Sequence, residues 1–263
     1  MNNYPIGIFD SGVGGISIWK EINQRMPNED TVYLADSANA PYGQKSREQI
    51  LQLSRKNTEL LLQQGCKLIV VACNTATTNA IAYLRDHYAV PFIGIEPAIK
   101  PAALLSKSKT IGILATKGTL SSSLFSTTSK HHASGIQIIE QEGTGLVELI
   151  ESGDSASAET KKLLASYVQP MLDAQIDHLV LGCTHYPYLI PLLKELMPKE
   201  VQIIDCGAAV AKQTYTILNE QGLLNADLEH AGAHRFYTNT DVELLTTFLK
   251  GLPGNIHASY KDF

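Results

Sequence analysis

The chain has 263 residues, 44% of them hydrophobic and 18% charged, with a net charge of −5; that length supports one large α/β domain or two modest lobes. The acidic balance comes without a basic block, so electrostatics gives no reason to expect a nucleic-acid partner, and no apolar run approaches the roughly 20 residues needed to cross a membrane. The opening Met-Asn-Asn-Tyr-Pro lacks the basic n-region and cleavage site of a signal peptide, which makes the cytoplasm the expected location.

In chain order, short β-rich runs alternate with longer amphipathic ones. Strands are expected at 6–10, 31–35, 68–72, 92–95, 110–115, 136–139, 178–182, 201–204 and 235–237. Helical patterns lie between most of them, as at 47–64, 75–87, 158–174 and 208–221. This alternation predicts parallel sheets built from βαβ units, in which ligands gather at the carboxyl ends of strands. The first such loop, Gly12-Val-Gly14-Gly15, follows a strand and opens a helix, as a dinucleotide loop does. Position 17 is Ser17, so the full G-x-G-x-x-G spacing fails. The glycines are expected to serve a tight turn and a close approach of backbone to ligand.

Four cysteines stand at 66, 73, 183 and 206, with no CxxC among them. Neither disulfides nor a zinc site is expected from that spacing. Two of them lie in segments that look like copies of one unit, Lys67-Leu-Ile-Val-Val-Ala-Cys73-Asn-Thr-Ala-Thr and His178-Leu-Val-Leu-Gly-Cys183-Thr-His-Tyr-Pro187. Each is an apolar strand, a cysteine, then residues suited to opening a helix, with Pro187 fitted to a first turn. The copies predict two related lobes, 1–95 plus 207–263 carrying Cys73 and 96–206 carrying Cys183. A thiol at a strand-to-helix switch lies near free N–H groups and the positive end of the helix dipole, which favour thiolate. Cys66, in a Gly-Cys-Lys turn, and Cys206, after Ile203-Ile204-Asp205, read instead as small buried residues.

One nucleophilic cysteine would suit acyl transfer with His185 as its base, but that scheme leaves Cys73 idle. Racemisation uses both: one thiolate removes an α-proton while a thiol on the opposite face returns one. Two identical groups suit general acid–base chemistry that must run in both directions, and their titrations are coupled.

The segments Ile6-Gly-Ile-Phe-Asp-Ser-Gly-Val-Gly-Gly15, Asp36 through Ala40-Pro-Tyr-Gly43, Ala72-Cys-Asn-Thr-Ala76 and Leu181-Gly-Cys-Thr-His-Tyr-Pro187 closely resemble the glutamate racemase family. The likeness runs through nearly the whole chain, including Ile111-Gly-Ile-Leu-Ala-Thr116 and the Asp205-Cys-Gly-Ala turn. It implies an α/β fold of two pseudo-symmetric lobes, each a mostly parallel sheet flanked by helices, with the active site in the cleft between them. It also implies interconversion of L- and D-glutamate with no cofactor and no metal, supplying D-glutamate to peptidoglycan. By the resemblance, Cys73 acts on D-glutamate and Cys183 on L-glutamate, with Asp10 and His185 as polar helpers. Asp10, Ser11, Tyr42, Gly43, Asn74, Thr75, Thr184 and His185 match substrate-contacting positions. Physically, Asn74, Thr75 and Thr184 follow the cysteines at helix starts, where donors can hold an α-carboxylate. The Pro-Tyr-Gly turn can present hydrogen bonds to the side-chain carboxylate, and Asp10 can bind the ammonium and tune Cys73.

Counting back from Cys183, Glu151 fits the family's auxiliary acid, with Glu148 as competitor. Cys206 stands where many relatives have Ser, which points to local packing. The chain begins directly at the first strand, so activation by a cell-wall precursor, associated in some relatives with an N-terminal extension, is not expected. Aspartate racemase, with similar two-cysteine logic, is the nearest enzymatic rival. A binding module that keeps the lobes without catalysis is the alternative of a different class, opposed by retention of both thiols, Asp10 and His185. Relatives are often dimers, which leaves a homodimer open.

Overall fold

Apolar, β-branched runs build two sheets in which every pairing is parallel. The computed structural model describes residues 4–132, 135–227 and 229–263; the Met-Asn-Asn start, read above for a leader, lies outside the described residues. Among these, the strands are β1 (Ile6–Asp10), β2 (Thr31–Ala35), β3 (Leu68–Val71), β4 (Phe92–Gly94), β5 (Thr110–Ala115), β6 (Gln137–Glu142), β7 (His178–Gly182), β8 (Gln202–Ile204), β9 (Ala233–Thr238) and β10 (Asn255–Tyr260). The first sheet runs β10-β9-β2-β1-β3-β4 and the second β6-β5-β7-β8. With β9 and β10 set aside, the orders β2-β1-β3-β4 and β6-β5-β7-β8 are the same winding written twice. Cys73 follows the third strand of one copy and Cys183 the third strand of the other.

Strands β1, β2, β3, β5 and β7 are buried along their whole length, as expected where helices cover both faces of a parallel sheet. Alternate residues feed opposite faces. Ile6, Ile8, Leu68 and Val70 pack in one apolar cluster with Trp19 and Phe236, while Phe9, Ile69 and Val71 pack in another with Ile50 and Leu84. The second sheet is likewise lined by two clusters, around Leu179 and Leu181 on one face and Ile111, Ile113 and Val180 on the other.

Strand β10 was not among the expected elements. It pairs on one side only, with β9, and half-buried residues alternate with exposed ones in Asn-Ile-His-Ala-Ser-Tyr. An edge strand of that kind carries little of the apolar periodicity that marks central strands. No helix among the described residues is long and apolar enough to cross a membrane.

Candidate active site

The carboxyl ends of β1, β2 and β3 face those of β5 and β7. Hydrogen bonds close the seam: Ser17 Oγ donates to the Thr184 carbonyl at 3.1 Å, Val13 N–H to Glu151 Oε1 at 2.7 Å, and the Thr75 and Thr116 hydroxyls pair at 2.8 Å. In the first sheet the chain order reverses at β1, flanked by β2 and β3, the kind of switch point where parallel sheets hold ligands.

Cys73 is the N-cap of the helix Asn74–His87, and its sulfur accepts the Ala76 N–H at 3.4 Å. The thiol reaches Ser11 Oγ at 3.8 Å. This placement was expected to favour thiolate, and the structure corrects that expectation. Burial, followed by the nearby Asp10 carboxylate, pushes the Cys73 pKa well above the ordinary thiol value. With 4% of its surface exposed, Cys73 is held as a thiol, because desolvation outweighs a helix terminus.

Cys183 departs from the expected plan in another way. A 3-10 turn, Tyr186–Leu189, follows it and contains Pro187, and the α-helix Ile190–Leu196 begins only after that. No α-helix starts on Cys183 or Thr184, so the helix-start argument holds for Asn74 and Thr75 but not for Thr184. Positive charge beside this sulfur comes instead from His185, whose Nδ1 lies 3.7 Å from Cys183 Sγ while Nε2 meets Glu151 Oε1 at 2.5 Å. Burial alone would push the His185 pKa down, but Cys183 and Glu151 together outweigh it and hold the pKa well above its ordinary range. Glu151 is half-buried, which by itself raises its pKa. His185, the Val13 N–H and the Ser37 hydroxyl reverse that and leave it below the usual carboxylate value. The competitor Glu148 sits at the surface and accepts from Gln44 Nε2 at 2.7 Å.

Asp10, at the end of β1, is fully buried. Its Oδ2 accepts the Gly15 N–H at 2.7 Å, and the Thr184 hydroxyl lies 3.4 Å from both carboxylate oxygens. Burial raises its pKa to about 6, against the opposing pull of His185 and the Gly15 N–H. The glycine loop explains itself sterically. A Cβ at Gly12 would collide with the Glu151 carboxylate, and one at Gly14 with the His185 ring. The glycines therefore let the loop lie against the histidine–glutamate pair.

Asn74 is buried, and beyond a loose approach of its side chain to the Cys206 thiol its polar atoms have no close hydrogen-bond partner. Such atoms are costly to leave unpaired, so Asn74 is suited to meeting a polar ligand. Tyr42 is also buried, but its hydroxyl donates to Asp36 Oδ2 at 2.5 Å. What the Tyr42–Gly43 turn can offer a ligand is therefore backbone. Gly43 lies against Thr116, where an added Cβ would come within 2.8 Å of the Thr116 Cβ. Thr116 and Thr119 hydroxyls lie 3.1 Å apart and complete a cluster with Thr75.

All the residues singled out in the sequence thus reach this seam, the competitor Glu148 at its exposed edge through Gln44. Asp36, Ser37, Thr116 and Thr119 were not singled out as site residues. Asp36 and Thr116 had a legible signal: each directly follows a strand, as Cys183 does. Ser37 had none, because its partner Glu151 is more than a hundred residues away in the chain.

A model of the Asp/Glu/Hydantoin racemase family matches residues 6–214. The chain is 48% identical to a glutamate racemase of Pseudomonas putida over 246 residues, covering 93% of this chain and 92% of the relative. Among solved structures, it resembles glutamate racemase isoform RacE1 from Bacillus anthracis with a TM-score of 0.89 and 30% identity, covering 100% of this chain and 99% of that one. It also resembles the Escherichia coli glutamate racemase in complex with L-glutamate and the activator UDP-MurNAc-Ala, with a TM-score of 0.87, 31% identity and 98% of each chain covered.

Proposed function

The chain belongs to the Asp/Glu/hydantoin racemase family, and from that membership we propose that it interconverts L- and D-glutamate with Cys73 and Cys183 as opposed acid and base. The observation that carries the mechanism is the unequal setting of two thiols on equivalent strands: Cys73 buried beside Asp10, and Cys183 beside the His185–Glu151 pair. With L-glutamate, the Cys183 thiolate takes the α-proton while the Cys73 thiol delivers its own to the opposite face. D-glutamate leaves, and Cys183 is then the thiol and Cys73 the thiolate, the state that runs the reverse reaction. His185, as imidazolium, offsets negative charge at Cys183. Asp10 holds the substrate ammonium, and Ser11 and Thr184 border the reacting centre. Asn74 and the N-terminal N–H groups of its helix receive the α-carboxylate, where charge develops in the transition state. Thr75, in the same first turn, adds to that α-carboxylate site, and the Tyr42–Gly43 backbone takes the side-chain carboxylate.

The test is circular dichroism of L-glutamate, D-glutamate and both aspartates with no cofactor added. Decay of the glutamate signal from either enantiomer is expected, and activity with aspartate alone overturns the substrate. Cys73→Ala and Cys183→Ala should each abolish full racemisation. Wild-type turnover in either variant refutes the two-thiol mechanism. The proposal extends to lobes at 1–95 plus 207–263 and 96–206, to a cytoplasmic role supplying D-glutamate for peptidoglycan, and to a homodimer, which a single-chain mass in sedimentation overturns.

A further inference from the structure

Asp36 directly follows β2 and its side chain is wholly buried, yet the mechanism above gives it no task. Its backbone N–H donates to the Asp10 carbonyl at 3.1 Å, so it sits at the rim of the site. The carboxylate gathers donors from three parts of the chain. Oδ1 accepts Asn39 Nδ2 at 2.8 Å, Asn239 Nδ2 at 2.6 Å and Lys56 Nζ at 3.4 Å. Oδ2 accepts the Tyr42 hydroxyl at 2.5 Å and Asn57 Nδ2 at 3.3 Å. Asn57 also donates to the Tyr42 oxygen at 3.1 Å. Lys56 and Asn57 belong to the helix Arg47–Gln63, which is fixed at its start by a capping box of Ser46 and Gln49.

Asn239 extends the network. Its Oδ1 accepts the Ala38 N–H at 2.9 Å, and its Nδ2 also donates to the Phe263 carbonyl at 3.1 Å. The segment 36–43 is thus pinned at Asp36, Ala38 and Tyr42 to a long helix and, through Asn239, to the end of the chain, with Asn39 bracing Asp36 from within. What hangs from these pins is the Tyr42–Gly43 backbone, closely seated on Thr116. A carboxylate that accepts bonds from several elements fixes their relative positions better than any one neutral bond does.

We propose that Asp36 is a positioning residue for substrate recognition: by holding the Tyr42 hydroxyl and Asn39 against Asn57, Lys56 and Asn239, it sets the Tyr42–Gly43 backbone at the distance that receives the substrate's side-chain carboxylate. The inference rests on the reading that this turn holds that carboxylate. Because both enantiomers present the same side chain, loss of the anchor acts on both alike. It raises KM and leaves the proton-transferring thiols in place.

The test is steady-state racemisation from each enantiomer by Asp36→Asn, Asn239→Ala and Gly43→Ala, alongside thermal melting. Asp36→Asn is expected to raise KM about tenfold for both enantiomers, the effect of losing one charge-assisted hydrogen bond, with kcat changed less than about threefold. Asn239→Ala, which touches nothing at the thiols, should raise KM in the same direction by a smaller factor. A purely structural role would reduce the active fraction, lowering apparent kcat at unchanged KM, and that result overturns the proposal. Should Asp36→Asn not fold, Asn239→Ala decides: a raised KM supports the anchor and an unchanged KM refutes it. Gly43→Ala separates the two levels of the argument. If it leaves KM unchanged, the reading of the turn falls, and the role of Asp36 with it. If it raises KM while Asp36→Asn and Asn239→Ala do not, only the role of Asp36 falls.

Discussion

Replacing Glu151 with glutamine removes one negative charge from a buried pair while keeping the side chain's size. In the wild type, His185 Nε2 meets Glu151 Oε1 at 2.5 Å, and the same carboxylate accepts the Val13 N–H at 2.7 Å and the Ser37 hydroxyl at 3.0 Å. The two side chains are 1% and 14% exposed, so solvent screens the charge little. A hydrogen bond to a charged group contributes about 1.5–3 kcal/mol, which bounds the loss at His185. That corresponds to a loss of about 10- to 100-fold in kcat/KM, with the His185 pKa moving down. The sign follows from the direction of the shift. His185 is held charged well above its ordinary pKa, so Glu151→Gln moves the alkaline limb of the rate profile to lower pH. The two enantiomers have equal free energy in water, so the equilibrium constant is unity and kcat/KM must fall equally in both directions. The assay is the initial rate by circular dichroism from each enantiomer across the neutral and alkaline range. An alkaline limb that stays in place, or a kcat/KM within about twofold of wild type, refutes the coupling of Glu151 to His185.

Gly14→Ala places a Cβ against the His185 ring; displacing a catalytic group by about 1 Å can cost about 100-fold, so activity per folded molecule should collapse alongside a stability loss of about 1–3 kcal/mol, and wild-type turnover would refute the close approach. Asp10→Asn tests the cost of burying a carboxylate. The folded pKa of Asp10 is raised to about 6, so the native state binds the extra proton and wild-type stability falls as pH rises from the unfolded value towards 6. The amide variant escapes this and should be more stable at neutral pH by up to about 3 kcal/mol, from two pKa units, while inactive; urea titrations at acidic and neutral pH decide it, and equal differences at both would refute the reasoning. Away from the site, Lys67 Nζ and Glu29 Oε2 pair at 2.6 Å with side chains 3% and 4% exposed. Lys67→Met removes the cation from the Glu29 carboxylate, which keeps the Asn225 N–H, and should destabilise the fold by about 3 kcal/mol with kcat per folded molecule unchanged; a loss below about 1 kcal/mol in denaturant titration would show that the pair is not effectively buried.

The parallel α/β class and the central strands were legible in the residues alone, because β1, β3, β5 and β7 are buried on both faces and read as largely apolar runs. The sequence also marked Cys73 and Cys183 as counterparts, since strand, cysteine and following polar residues recur in one chain. The similarity of the windings β2-β1-β3-β4 and β6-β5-β7-β8 is the structural form of that repetition. Tertiary structure decided the rest. Both thiols looked alike in sequence, yet burial beside Asp10 holds one protonated, and a histidine–glutamate pair serves the other where no α-helix begins. Glu151 was separated from Glu148 only by the side of a six-residue helix that faces His185. The edge strand β10 escaped notice for want of periodicity, and the role of the Tyr42 hydroxyl depended on Asp36, Asn57 and Asn239. Desolvation and partners brought from distant parts of the chain set the charge of a buried group, and neither is a property of its neighbours in sequence.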